Sequence, residues 1–128
     1  MQEITIMSDR KPTILIVDDE PVMVGIVRDF LVPRGYTVFE ATDGTMGLEV
    51  FKEKHPDIVI LDIMMPGMMG TEVRDEIRTI APECRIIMTS GHTEPSEYIT
   101  EGDIFLKKPF NIQELTDALK SADQGLKT

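Results

Sequence analysis

Three aspartates of this 128-residue chain stand directly behind apolar runs. Asp18 and Asp19 follow Thr13-Ile14-Leu15-Ile16-Val17, and Asp62 follows Asp57-Ile58-Val59-Ile60-Leu61. A hydroxyl and an ammonium hold comparable places: Ser90 lies just past Arg85-Ile86-Ile87-Met88, and Lys108 just past Asp103-Ile104-Phe105-Leu106. Continuous apolar runs suit strands buried on both faces of a parallel sheet, and ligands of open α/β sheets bind outside the carboxyl ends of the strands. With these four runs side by side, three carboxylates, one hydroxyl and one ammonium converge. Carboxylates that close repel one another unless a cation sits among them. Lys108 supplies one charge, which is not enough. A hard divalent cation with oxygen ligands is the natural remedy: Mg2+, with Mn2+ as the alternative. Mg2+ is typically held by one or two carboxylates plus a phosphate oxygen, so the pattern points to a phosphoryl group as substrate.

The intervening segments predict the elements that would position these groups. Pro21 suits a first helical turn, and Met23, Ile26, Val27, Phe30 and Leu31 recur as one apolar stripe until Pro33 and Gly35 end the helix. Tyr36 to Ala41 reads as a strand, and Gly44 to Lys54 as a helix with Leu48 and Phe51 inward. A Met/Pro/Gly loop runs from Asp62 through Gly70, followed by a helix with Val73, Ile77 and Ile80 on one face. Asn111 to Ala122 is a final helix, with Asn111 as cap, Glu114 three residues on, and Ile112, Leu115 and Leu119 inward. Five strands alternating with helices predict an α/β domain with a doubly wound parallel sheet. The second strand ends in Glu40-Ala41-Thr42 and offers no chemistry, which suits an edge position in the order 2-1-3-4-5. The expected organisation is a flexible lead-in at 1–11, one domain over 12–122 and a short tail at 123–128.

Bulk properties narrow the functional classes. Thirteen basic against twenty-three acidic residues give a net charge of −10. That argues against nucleic acid as a partner, since affinity there comes mainly from neutralising phosphates. No apolar run approaches the roughly 18 residues of a membrane span, and no signal-peptide stretch is present. The one cysteine, Cys84, cannot form an internal disulfide. A cytoplasmic protein with no membrane and no nucleic-acid partner is expected.

Taken together, Asp18-Asp19, Asp62-Ile63-Met64-Met65-Pro66-Gly67, Ser90-Gly91 and Lys108-Pro109-Phe110 resemble the response regulator receiver domain of two-component signalling systems. Each motif alone is weak; all four in this order, each at a strand exit, form a strong signal spanning about Pro12 to Ala122. The resemblance implies a flavodoxin-like fold of order 2-1-3-4-5. It implies Asp62 as phosphoacceptor and Mg2+ held by Asp19, Asp62 and the Met64 backbone carbonyl, with Asp18 acting through water. Lys108 and Ser90 would bind phosphate oxygens, with Lys108-Pro109 as a cis bond. Phe105 falls at the family's rotating aromatic position. The implied donor is a phosphohistidine on a histidine kinase or a histidine phosphotransfer domain. The implied output is a change of shape read by protein contact. No enzyme activity is implied beyond the domain's own phosphorylation and dephosphorylation.

Ser90 and Lys108 are eighteen positions apart, shorter than is usual for that family, and Pro95 falls between them. A shortened fourth helix, one turn or irregular over Ser96 to Glu101, is therefore expected. This puts a dimer through helix four, strand five and helix five in doubt, and it resembles receivers attached to hybrid sensor histidine kinases. Met1 favours instead a free-standing regulator. Met64 and His92 would flank the route of a water attacking the phosphoryl group. Methionine cannot hold that water firmly, so a phosphoryl lifetime of minutes or longer is expected.

Plainer readings stand beside these. Alone, Asp18-Asp19 would merely cap a helix. Met64, Met65, Met68 and Met69 lack His or Cys companions and read as adaptable packing. Cys84 reads as inert, His55 as solvated, and the Glu/Arg-rich face of residues 72 to 78 as a solvated helix face. Three other functions compete. A phosphorylation-independent adaptor would keep the fold without the chemistry. A haloacid-dehalogenase-like phosphohydrolase would want a second acid where Met64 stands. A nucleotide-binding protein would want a Gly-rich phosphate loop that this chain lacks.

Overall fold

The computed structural model describes residues 11–91 and 97–127. The apolar runs become five parallel strands: β1 (Thr13–Val17), β2 (Thr37–Ala41), β3 (Ile58–Asp62), β4 (Arg85–Ser90) and β5 (Asp103–Lys107). They pair in the order β2-β1-β3-β4-β5. The strand without chemistry is thus at one edge, as expected, and the other four are contiguous. Their register is nearly level at the carboxyl end, with Val17 opposite Leu61, Asp62 opposite Thr89 and Ser90 opposite Lys107.

Four helices cover the sheet: α1 (Pro21–Leu31), α2 (Gly44–Lys54), α3 (Gly70–Ile80) and α4 (Ile112–Lys127), with a 3-10 turn at Val32–Arg34 after α1. Successive strand residues point to opposite faces, so each central strand feeds two cores. Leu15, Val17, Val59, Leu61, Ile86 and Met88 pack with Leu48, Phe51, Val73 and Ile77 of α2 and α3. Ile14, Ile16, Ile58, Ile60 and Ile87 pack with Val24, Val27 and Leu31 of α1 and with Leu115 and Leu119 of α4. All five residues of β3 are buried, which is why that strand carries no polar residue before Asp62. Gly47 lets α2 lie close on β1, since a Cβ there would sit 3.0 Å from both methyl groups of Val17.

Several inward assignments need correction. Ile26 is 61 % exposed, and the buried line of α1 is Val24, Val27 and Leu31. Seven of the eleven residues from Pro21 to Leu31 are apolar, so more than one stripe satisfies the 3.6-residue period, and contact with the sheet selects between them. Ile80 closes α3 and Ile112 opens α4; both are exposed, because a terminal turn overhangs the sheet rather than lying on it. Helix α4 does not stop at Ala122 but runs to Lys127, as Asp123 and Gln124 are no barrier to helix. The described elements thus run from Thr13 to Lys127.

The link between β4 and β5 contains no α-helix among the described residues; turns fall at Tyr98 and at Glu101 and Gly102, with irregular backbone between them. Ser96 and the rest of 92–96 lie outside the described residues. The face of α3 read as solvated is only partly so. Glu72, Asp75 and Glu76 are exposed, but Arg74 is buried, bonding the Tyr98 carbonyl and, at 3.0 Å, Asp103 Oδ2. Arg78 Nη2 reaches Asp103 Oδ1 at 2.6 Å, and the Asp103 carboxylate also accepts from Thr100 N–H and Oγ1 at 2.8 and 3.0 Å. Two guanidinium groups of α3 thus hold the turns leading into β5. Among the described residues, no helix is long and apolar enough to cross a membrane.

Candidate functional site

Each polar strand exit is placed by its own local hydrogen bonds. The Asp18 N–H continues the β1–β2 ladder to the Ala41 carbonyl at 3.1 Å, and Asp18 Oδ1 accepts from Glu20 N–H at 2.9 Å. This turns the Asp18 carboxylate inward, where it is buried. Asp62 is the last residue of β3, and Ile63 N–H extends the pairing to the Thr89 carbonyl at 2.9 Å. The following loop closes where Gly70 N–H reaches the Ile63 carbonyl at 2.8 Å. A Cβ on Gly70 would lie 2.1 Å from the Asp62 carbonyl oxygen, so only glycine lets α3 begin directly against the backbone of Asp62. Ser90 ends β4, and its carbonyl accepts from Lys108 N–H at 2.9 Å. The Lys108-Pro109 bond is cis. Just beyond, Asn111 Oδ1 accepts from Glu114 N–H at 2.8 Å and Glu114 Oε1 from Asn111 N–H at 2.9 Å, the expected reciprocal cap of α4.

These groups meet in one open cleft of about 400 Å³, lined by Asp19, Glu20, Asp62, Met64, Ser90, Gly91 and Lys108. Lys108 Nζ lies 2.7 Å from Asp18 Oδ2, 3.4 Å from Glu20 Oε1 and 3.5 Å from Asp62 Oδ2. Asp18, Asp19 and Asp62 each offer a carboxylate oxygen within 4.8 Å of the others. Ser90 is buried beside them, while Met64 turns its side chain outward, 39 % exposed. Phe105 does not line the cleft. It is half-buried on β5, opposite Met88, packed against the α2/α3 core with Tyr98 and Ile99. His92 lies outside the described residues. Sequence reasoning missed Glu20, although it extends the Asp18-Asp19 acid run by one, and it missed the demand for glycine at 70.

The electrostatics follow from this crowding. Burial pushes the Asp62 carboxyl up to about 6; Lys108 opposes that shift, Asp18 and Asp19 add to it, and the Met64 backbone N–H opposes it again. Burial by itself would lower the Lys108 ammonium, but its hydrogen bond to Asp18 and the charges of Asp62 and Asp18 raise it. One buried ammonium thus leaves the carboxylates short of positive charge. The donor set, all hard oxygens and short of countercharge, fits a divalent cation such as Mg2+. Other residues singled out behave as ordinary structure. Cys84 is buried and its thiol is pushed up to about 12, chiefly by burial, which suits an inert residue. His55 is exposed at the end of α2.

Comparison with known proteins agrees with the geometry. The family model for the response regulator receiver domain matches residues 14–120. The chemotaxis protein CheY of Bacillus subtilis is 38% identical over 111 residues, covering 83% of this chain and 92% of that protein. The probable transcriptional regulatory protein TcrX of Mycobacterium tuberculosis is 31% identical over 119 residues; 89% of this chain is covered but only 51% of TcrX, so the chain spans about half the length of that relative. The crystal structure of the response regulator protein TrrA of Thermotoga maritima, in complex with Mg(2+)-BeF, superposes with a TM-score of 0.79 at 34% identity, covering 87% of this chain and 98% of that one. With the strand order, the acid cluster and a family match over most of its length, the chain belongs to the response regulator receiver domains of two-component signalling.

Proposed function

We propose that Asp62 accepts a phosphoryl group from a phosphohistidine on a histidine kinase or histidine phosphotransfer domain, and that the resulting charge switches the domain's surface for a protein partner. The observation that carries this is the setting of Asp62: a strand-end carboxylate with an ammonium 3.5 Å away and two further carboxylates within 4.8 Å. Mg2+ would be held by Asp19, Asp62 and the Met64 backbone carbonyl, with Asp18 through water. When bound, it supplies neutralising charge to the phosphoryl oxygens. That TrrA was crystallised with Mg(2+)-BeF supports this choice of metal.

The chain's own groups then divide the work. An Asp62 carboxylate oxygen forms a bond to phosphorus as the phosphorus–nitrogen bond of the donor breaks. The departing imidazole nitrogen keeps the electron pair and takes a proton from solvent. A loose transition state of this kind asks for positioning and charge more than for covalent help. Lys108 exchanges its contact with Asp18 for a phosphate oxygen, and Ser90 hydrogen-bonds another. Movement of Ser90 frees space beside β4, and Phe105, held by packing alone, turns inward. The reading places the protein in the cytoplasm, without nucleic acid or membrane as partner, and without enzyme activity beyond its own phosphorylation and dephosphorylation.

Intact mass spectrometry after incubation with acetyl phosphate and Mg2+ tests the reading. One phosphoryl adduct is expected, lost with EDTA and lost in Asp62→Asn. An adduct that survives in Asp62→Asn would place the chemistry elsewhere. The same assay, followed over time after donor removal, examines the lifetime. With Met64 unable to anchor the attacking water, decay over minutes or longer is expected. An asparagine there supplies a hydrogen bond worth about 1 kcal/mol, so Met64→Asn is expected to hasten decay about five-fold. Equal rates would show that this side chain does not govern the water.

A further inference from the structure

We infer that Glu20 selects among phosphodonors by their charge, acting as a positioning and specificity residue at the mouth of the cleft. The inference rests on the reading of Asp62 as phosphoacceptor.

Glu20 is held from both sides by its backbone. Its N–H donates to Asp18 Oδ1 at 2.9 Å, and its carbonyl accepts from Val24 N–H at 3.2 Å where α1 begins. Pro21 follows immediately and fixes the chain direction. Its carboxylate lines the cleft, exposed to solvent yet 3.4 Å from Lys108 Nζ. It stands apart from the cluster of Asp18, Asp19 and Asp62 that suits a cation. Lys108 is the one cation lining the cleft among the described residues.

A negative charge in that place has two effects on an incoming donor. It repels the donor in proportion to the donor's own charge, and it draws Lys108 toward the mouth, away from Asp62. A small acyl phosphate, a dianion near neutral pH, has only its own binding energy to set against this. A phosphohistidine carried on a protein brings the whole of a docking interface. Glu20 therefore penalises free metabolite phosphates while leaving the protein donor's advantage intact.

The test compares adduct formation on Asp62 with two small donors at saturating Mg2+: acetyl phosphate, a dianion, and phosphoramidate, which carries one fewer net negative charge. Removing a unit charge at the mouth of the cleft is expected to speed the dianion about three-fold and the other donor less than two-fold. Glu20→Gln should thus raise the ratio of the two rates about two-fold, and Glu20→Asp, which keeps the charge, should return it to the wild-type value. At about 1 M salt, where the screening length is about 3 Å, the ratio should no longer depend on residue 20. Equal acceleration of both donors, no change in either, or a ratio unaffected by salt overturns the assignment. An adduct that persists with either donor in Asp62→Asn overturns the Asp62 reading itself, and this assignment with it.

Discussion

In the absence of divalent metal, Asp62→Asn is expected to melt higher than the wild type at pH 7.5 while accepting no phosphoryl group. The sign follows from the acid's raised pKa. An ordinary aspartate ionises near 3.8; Asp62 does so at about 6. The native state therefore resists the charged form even with Lys108 nearby. Each unit of such a shift corresponds to about 1.4 kcal/mol, so the ionised carboxylate costs the fold about 2–3 kcal/mol at neutral pH. Asparagine has the shape of the neutral acid and escapes that cost. At about 3–5 °C per kcal/mol for a domain of this size, the variant is expected to gain about 6–15 °C.

The pH dependence tests the cause. The penalty is absent below the unfolded-state pKa and complete above the folded one. Wild-type stability relative to Asp62→Asn therefore falls as pH rises between about 4 and 6 and is flat above. A gap between the two proteins that stays constant from pH 4 to 7.5 would attribute the gain to something other than ionisation. Metal closes the gap from the other side. Mg2+ at 100 times its dissociation constant adds about 2.7 kcal/mol to whichever protein binds it. The wild type, with its third carboxylate, is expected to gain most of that and the variant less. On the proposed reading, the nucleophilicity of Asp62 and its cost to the fold have one origin: a carboxylate placed where it is poorly solvated and short of countercharge.

How legible this was in the sequence depends on how local the signal is. The strand exits were readable because burial on both faces of a parallel sheet leaves an uninterrupted apolar run, and the first acid after it marks the end. Leu48, Phe51, Val73, Ile77, Leu115 and Leu119 were readable from helical period alone. Ile26, Ile80 and Ile112 were not, because period says which residues share a stripe but not how far the sheet extends beneath a terminal turn. Gly70 was invisible as a requirement, since what forbids a Cβ there is the Asp62 carbonyl folding back across the loop. Arg74 was misread for the same kind of reason. Its charge argued for solvent, and the carboxylate that holds it lies twenty-nine residues away.

That buried pairing carries the second large expectation. Asp103→Ala is expected to destabilise the domain by about 3–5 kcal/mol, the usual cost of removing one partner from a buried ion pair. The Asp103 side chain has no exposure to solvent, and its carboxylate serves Arg74, Arg78 and Thr100 together. Burial would raise its pKa, but the hydrogen bonds from Arg78 and Thr100 and the charge of Arg74 bring it below the ordinary value. Stability from this group is therefore present above an unfolded-state value near 4 and is lost as pH falls through the lower folded pKa. Removing the carboxylate leaves the Arg74 guanidinium, only 6% exposed, with the Tyr98 carbonyl and the solvent-exposed Asp75 carboxylate, 3.0 Å away, as its remaining partners. Arg78, at 26%, can swing toward water and relieve part of the cost. Urea titration measures the loss, and a midpoint shift equivalent to under 1 kcal/mol would mean both arginines escape to solvent. The partner change separates charge from structure. If the network acts as one unit, Arg74→Met combined with Asp103→Ala costs less than the two single losses added together. In a link that shows no α-helix among its described residues, this polar clamp takes over part of what helix packing would do, holding Tyr98 and Ile99 against the same core that Phe105 packs on. Loosening it is expected to make the Phe105 side of the sheet respond less sharply to phosphorylation at Asp62.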